Sequence, residues 1–292
     1  MLHNIPLFIF FTVLNLSLGL DSMIAQVSLT NEQVIHIDQF LMAPQWSPND
    51  SQLLCSGKSY KGIYIYTLNN SELNQLTNLQ GSGYRPKWSP QADYILFRYK
   101  DELTNSSQFE TKAVSLNGQK RTLEKDIDPF TIFTEIGIKK DTDISIKYNR
   151  QTLQVEGKFK NSDDSWLITP GKGSFYHPVL SPDKKQLLVH KKSKMFIYAS
   201  DGSGLIAELG YGLGNTWSPD SKQIIFTISE DKDGHYITGA ELYYTDLAGN
   251  RVQLTNTADR IEKWPDWSHK GNRIAYSDAL TGELIISDIE FK

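Results

Sequence analysis

The sequence predicts an all-β chain folded as a six-bladed β-propeller of four-stranded blades, closed by a strand near its N-terminus. Three observations predict it: a recurring turn motif, its spacing, and the way the two ends complement each other. Five segments carry the motif. They are Pro44-Gln45-Trp46-Ser47-Pro48-Asn49, Pro86-Lys87-Trp88-Ser89-Pro90, Pro178-Val179-Leu180-Ser181-Pro182-Asp183, Asn215-Thr216-Trp217-Ser218-Pro219-Asp220 and Pro265-Asp266-Trp267-Ser268-His269-Lys270.

An apolar strand follows each motif, as in Gln52-Leu53-Leu54-Cys55 or Gln223-Ile224-Ile225-Phe226, and then a second, as in Ile63-Tyr64-Ile65-Tyr66 or Leu242-Tyr243-Tyr244-Thr245. Polar turns such as Asn69-Asn70-Ser71 come next, and two units close on Gln75-Leu76-Thr77-Asn78 and Gln253-Leu254-Thr255-Asn256. The local physics agrees. Proline presets φ, and Asp or Asn bonds its own backbone, so Ser-Pro-Asp makes a tight turn. The tryptophan supplies the apolar surface that a thin blade needs against its neighbour. Trp46, Trp88, Trp217 and Trp267 are therefore expected to be buried.

Motif positions 46 and 88 are 42 residues apart, 180 and 217 are 37 apart, and 217 and 267 are 50 apart. The gap from 88 to 180 spans 92 residues, two repeats, so one unit lacks the motif. Residues 129–169 fit it, with strands at Thr131-Ile132-Phe133, Ile144-Ser145-Ile146, Leu153-Gln154-Val155 and Trp166-Leu167-Ile168. Six units of about 40 to 50 residues fall in the range of propeller blades. The last unit stops after its third strand, at Asp288–Phe291. The strand near Val34–Asp38 is expected to supply its fourth and leave no open sheet edge.

The formal net charge is −4, which argues against nucleic acid or an anionic membrane as partner. Pro6–Leu20 is an apolar run of signal-peptide length, and Ala25 ends a small-residue stretch suited to cleavage. The expected organisation is a signal peptide over 1–25 and a propeller over 26–292, periplasmic or secreted, without membrane insertion after cleavage. No cysteine stands near the cleavage region for lipid attachment. Cys55, the single cysteine, reads as a packing residue.

The Trp-Ser-Pro-Asp turn, the Ile/Leu-Phe strand, the Leu-Tyr strand and the Gln-Leu-Thr-Asn ending resemble the WD40-like repeats of the TolB propeller. The resemblance covers residues 31–292 and implies the propeller without the N-terminal α/β domain of TolB. The unit over 129–169 and Ser268-His269-Lys270 depart from the pattern.

Chemistry is sparse. There is no G-x-S-x-G elbow, no H-E-x-x-H pattern and no cysteine-rich metal motif. No cofactor and no metal are expected. The leading reading is a monomeric, non-catalytic propeller that binds a partner protein. The alternative is a carbohydrate-active or sugar-binding, lyase-like propeller, with His177, His235 and nearby carboxylates converging on a metal near the axis. In a propeller, loops joining strands 2 to 3 and 4 to 1 share one face, and the Ser-Pro-Asp turns lie on the other. The two long 2-to-3 loops, at Lys100–Glu110 and Ser229–Ala240, should project from the first face. Its 4-to-1 connections carry Tyr84, Arg85, Tyr176, His177, Arg260, Lys263 and Trp264. Aromatic and arginine side chains are common interface anchors, and these seven are the candidate partner-binding residues.

Overall fold

The computed structural model describes residues 26–99, 110–116, 120–122, 144–149, 151–159, 164–171, 173–231 and 236–292. They form six antiparallel sheets arranged as a β-propeller. Blade 1 contains Leu41–Trp46, Gln52–Gly57, Ile63–Thr67 and Glu72–Thr77, innermost strand first. Blade 2 contains Lys87–Trp88, Tyr94–Tyr99, Glu110–Ser115 and Lys120–Thr122. Blade 3 shows Ile144–Asn149, Gln154–Phe159 and Ser165–Leu167. Its expected inner strand, Thr131–Phe133, lies outside the described residues. Blade 4 contains Tyr176–Leu180, Gln186–Lys191, Lys194–Ala199 and Leu205–Tyr211, and blade 5 contains Leu213–Trp217, Gln223–Asp231, Ile237–Asp246 and Arg251–Gln253.

Blade 6 is sewn from both ends of the chain. Glu262–Trp267, Arg273–Asp278 and Leu284–Phe291 are completed by Val27–Ile35, which pairs antiparallel with Leu284–Phe291. The closing strand therefore starts earlier than expected and ends at Ile35, not Asp38. A bulge between Thr30 and Gln33, with Asn31 at φ 51°, interrupts its alternation.

Side chains of a strand alternate between its two faces, and here each face of a blade serves a different seam. In blade 1, Leu53 and Cys55 pack toward blade 6, while Leu54 packs toward blade 2. In blade 5, Ile224 and Phe226 join the seam with blade 4, and Ile225 joins the seam with blade 6. In blade 6, Ile274 and Tyr276 face blade 5, and Ala275 faces blade 1. Cys55 is fully buried as one of these packing residues, and burial pushes its thiol pKa up.

The motif explains itself atom by atom. The buried Ser47 hydroxyl donates to Asn49 Oδ1 at 2.8 Å and accepts from the Gln52 amide at 3.0 Å. Ser181 and Ser218 repeat this with Asp183 and Asp220, both at 2.6 Å, and with the Gln186 and Gln223 amides. Trp46, Trp217 and Trp267 are buried and Trp88 is half-buried. Three of these indoles reach across a seam. The N–H of Trp46 donates to the Asp266 carbonyl, that of Trp88 to Gln45, and that of Trp217 to Val179, each on the inner strand of the preceding blade. Trp267 instead bonds Gly271 in its own turn. Closure has a second lock on the Ser-Pro-Asp face. The buried Asp50 carboxylate accepts the His269 and Lys270 amides at 2.8 and 2.9 Å, and Arg273 lies over the Trp46 ring at 4.5 Å.

Candidate functional site at the channel mouth

The inner strands share a device that sequence reasoning missed. In blade 1, Met42 pairs with Ser56 and Gln45 with Leu54, so three steps on the inner strand match two on its partner. The same one-residue bulge lies between Tyr176 and Val179, Leu213 and Thr216, and Lys263 and Asp266. At each, one residue takes a left-handed conformation: Ala43 at φ 52°, His177 at 50°, Gly214 at 59° and Trp264 at 54°. Arg85, at φ 55°, holds the equivalent place just before Lys87–Trp88 in blade 2. In four of the five the next residue is proline, which needs no ladder partner at a bulge on an edge strand. A non-glycine residue in this region costs on the order of 1–3 kcal/mol, and bulges re-aim side chains. Three of the seven candidate residues, Arg85, His177 and Trp264, are these bulge residues.

Around Arg85 the structure gathers groups from several blades. Tyr84 is exposed, meets Tyr60 edge-on at 5.3 Å, and has the guanidinium groups of Arg85 and Arg98 each 5.9 Å from its ring. Two blades on, Tyr176 stacks on His190 at 5.4 Å, and His177 meets His190 edge-on at 5.9 Å. Burial lowers the His177 pKa, and the positive charge of Arg85 acts in the same direction. His190 is fully buried, and among the described residues its ring nitrogens meet no side-chain partner. Burial pushes its pKa down to about 4, with His177 and Arg85 adding to the effect and the Gly212 backbone opposing it.

Below the bulge, the residue before each motif tryptophan is Gln45, Lys87, Thr216 or Asp266, and in blade 4 Val179 precedes Leu180. Solvent reaches the Lys87 side chain, yet protein surrounds it. Burial lowers its pKa, Arg85 lowers it further, and Asp266 opposes both. Lys87 and Asp266 belong to blades 2 and 6, with blade 1 between them, so their coupling bridges the inner strand of blade 1. Burial raises the Asp266 carboxyl to about 7, although the Trp46 amide donates to its Oδ2 at 2.7 Å.

The remaining candidates separate from this group. Lys263 is half-buried, with its ammonium 5.9 Å from the Trp264 ring, and burial lowers its pKa. Arg260 is committed to the closing strand through a 2.7 Å ion pair with Glu32, which also accepts the Tyr276 hydroxyl at 3.0 Å. Close by, in the seam between blades 5 and 6, Glu262 is fully buried. Thr257 ties it to Glu241, its hydroxyl donating to Glu262 Oε1 at 2.7 Å and its amide to Glu241 Oε1 at 2.9 Å. Burial pushes the Glu262 carboxyl up to about 7, and the Glu241 charge adds to this.

Of the two expected long loops, 100–109 lies outside the described residues. The segment Ser229–Ala240 is a correction. Ser229 pairs with Ala240, Glu230 with Gly239 and Asp231 with Ile237, so the blade 5 hairpin continues as a ladder through these residues. Among the described residues no group of three or more His, Cys, Asp or Glu side chains is placed to hold a metal ion. His235 lies outside them.

Comparison with known structures shows the TolB propeller fold. The chain matches a TolB structure from Agrobacterium tumefaciens with a TM-score of 0.54 at 14% identity, covering 92% of this chain and 99% of that one. It matches oligogalacturonate lyase from Vibrio parahaemolyticus at 0.57 and 12% identity, covering 90% and 98%. It matches the Cps50 (Swd1) propeller domain from Myceliophteria thermophila at 0.53 and 12%, covering 90% and 99%. No protein-family model and no curated protein sequence matches it. At such identities the likeness carries the fold, and function has to be argued from the site.

Proposed function

We propose that this chain is a non-catalytic, exported propeller that binds a partner protein through the face carrying the channel mouth, and that it works as a monomer in the periplasm or outside the cell. One observation carries the reading. Five blades carry a left-handed residue at the head of the inner strand, four of them at a register bulge, and Arg85, His177 and Trp264 are three of these residues, next in sequence to Tyr84, Tyr176 and Lys263. Strain of this kind persists where the surrounding structure holds it in place, and it clusters at functional sites. The Ser-Pro-Asp face, by contrast, uses its polar groups on its own turns and seams.

The test is affinity capture from an envelope extract with purified wild-type protein as bait, compared with two variants. Tyr84→Ala combined with Arg85→Ala should lose the captured protein, and Lys185→Ala on the opposite face should retain it. Loss with Lys185→Ala alone would reverse the face assignment. Turnover of an oligosaccharide by the purified protein would replace the binding reading with the lyase-like one.

A further inference from the structure

On the face opposite the channel mouth, a cavity of about 330 Å³ opens at the seam between blades 6 and 1. It is lined by Arg273 and by residues 50–52 and 67–69, two turns of blade 1. The repeat shows what is unusual there. The sixth residue after the motif tryptophan, or after Leu180 in blade 4, is Gln52, Tyr94, Gln186, Gln223 or Arg273. In blade 4, Gln186 donates from Nε2 to the Ser221 carbonyl of blade 5 at 3.3 Å. In blade 6, Arg273 donates from Nη2 to the Asp50 carbonyl of blade 1 at 3.2 Å. Asp50 and Ser221 hold the same place in their turns, both left-handed, at φ 57° and 64°. One N–H of Arg273 thus does across the closing seam what a glutamine does between blades 4 and 5. The guanidinium adds further donors and a charge that this bond does not use.

That charge has no ion-pair partner among the described residues. The carboxylate of Asp50 is committed to the His269 and Lys270 amides, and Asp288, across the strand pair from Arg273, accepts from Asn31 at 2.8 Å. The Trp46 ring, 4.5 Å away, supports one face of the guanidinium and leaves its donors at the edge. We infer that this cavity binds a small hydroxy-carboxylate, its carboxylate on the Arg273 fork and its hydroxyls on Asn69 and Thr67. The fork of an arginine matches two carboxylate oxygens. Asn69 is exposed, and its amide has no protein partner among the described residues. Thr67 accepts from Gln52 at 3.1 Å and keeps its own hydrogen to donate. At about 30 Å³ for each water-sized group, the cavity has room for roughly ten non-hydrogen atoms. One cation suits a monoanion, and a phosphate dianion would set its second charge near Asp50 and Asp288. A neutral sugar would leave the guanidinium unpaired, and the aromatic face it would stack on, Trp46, is covered by Arg273. This site goes beyond the partner-binding face, and neither reading depends on the other.

The experiment is isothermal titration calorimetry of the full chain with threonate. Controls are threitol, which lacks the charge, butyrate, which lacks the hydroxyls, and inorganic phosphate. Threonate should give saturable heat and threitol none, and butyrate and phosphate should bind more weakly than threonate. Arg273→Gln restores the residue that blades 1, 4 and 5 carry and keeps a donor for the Asp50 carbonyl. It should melt close to wild type and weaken threonate binding at least tenfold. Asn69→Asp sets a carboxylate beside Arg273 at an exposed turn position and should weaken binding as much, which keeps the test open if Arg273→Gln fails to fold. Lys185→Gln, in the blade 4 turn on the same face, should match wild type. No saturable heat with threonate, equal binding of threitol, or unchanged binding by folded Arg273→Gln or by Asn69→Asp overturns the inference. Tighter binding of phosphate overturns the choice of a carboxylate, and equal binding of butyrate overturns the part assigned to the hydroxyls.

Discussion

Replacing Glu262 by glutamine should stabilise this protein, and by an amount that depends on pH. Glu262 is fully buried in the seam between blades 5 and 6, with Thr257 on one oxygen and Glu241 close by. Its carboxyl is raised from 4.5 to about 7. Between those values the folded state holds a proton that the unfolded state has released. Stability therefore falls as pH rises through that window, and the full cost is present above it. At about 1.4 kcal/mol per unit, the cost reaches about 3 kcal/mol at pH 8. Glutamine keeps the shape and the acceptor for Thr257, and it never ionises. The variant should match wild type near pH 4 and exceed it at pH 8 by roughly 6–12 °C in Tm, using the usual 2–4 °C per kcal/mol for a domain of this size. Melting both proteins at unit pH steps reads this directly. A difference that stays flat from pH 5 to pH 8, or a variant less stable at pH 8, would refute the reasoning.

Two further perturbations test the architecture. Trp46→Ala removes a buried indole, its bond to the Asp266 carbonyl and the ring beneath Arg273. It should cost about 3–5 kcal/mol in denaturant unfolding, and an unchanged midpoint would show that the indole does not hold the seam between blades 6 and 1. Deleting residues 26–35 removes buried Val27 and the half-buried Leu29, Val34 and Ile35, which should cost roughly 5 kcal/mol. Amide exchange across Leu284–Phe291 should rise with it, and retained protection there would mean that the ring closes without this strand.

How much the sequence disclosed follows from how local each feature is. Blade count, strand order and the Ser-Pro-Asp turns are written within single repeats, so spacing alone places them. The closing strand was legible from the unpaired last unit, but its limits were not. The bulge at Asn31 shifts the alternation by one residue and separates Val27 and Leu29 from Val34 in pattern. The segment Ser229–Ala240 read as loop because it is polar, yet a two-stranded ladder outside the core tolerates polar residues on both faces. Arg85 and His177 were named for their side-chain types, and the structure adds that Arg85 acts on His177 from two blades away. Lys87 and Asp266 stood in plain view beside the motif tryptophans. Their coupling depends on strands from different repeats meeting around an axis, which no spacing within a repeat encodes. A charged residue directly before a motif tryptophan was the available signal.

The pairing that completes blade 6 also changes what counts as an end of this chain. The Gln26 amide donates to the Lys292 carbonyl at 3.2 Å, and the Lys292 amide returns a bond to Gln26 at 2.9 Å. Thr30 and Glu290 touch at 3.1 Å although 260 positions separate them in sequence. Bringing such distant points together costs roughly 5 kcal/mol of chain entropy by the logarithmic loop-closure law. A short peptide joining residues 26 and 292 would convert that cost into a covalent bond, and the strand could then be cut at the Ser181-Pro182-Asp183 turn instead. The molecule behaves as a circle whose opening happens to fall in blade 6, so its topology leaves the position of that opening free while the ring and its mouth stay the same.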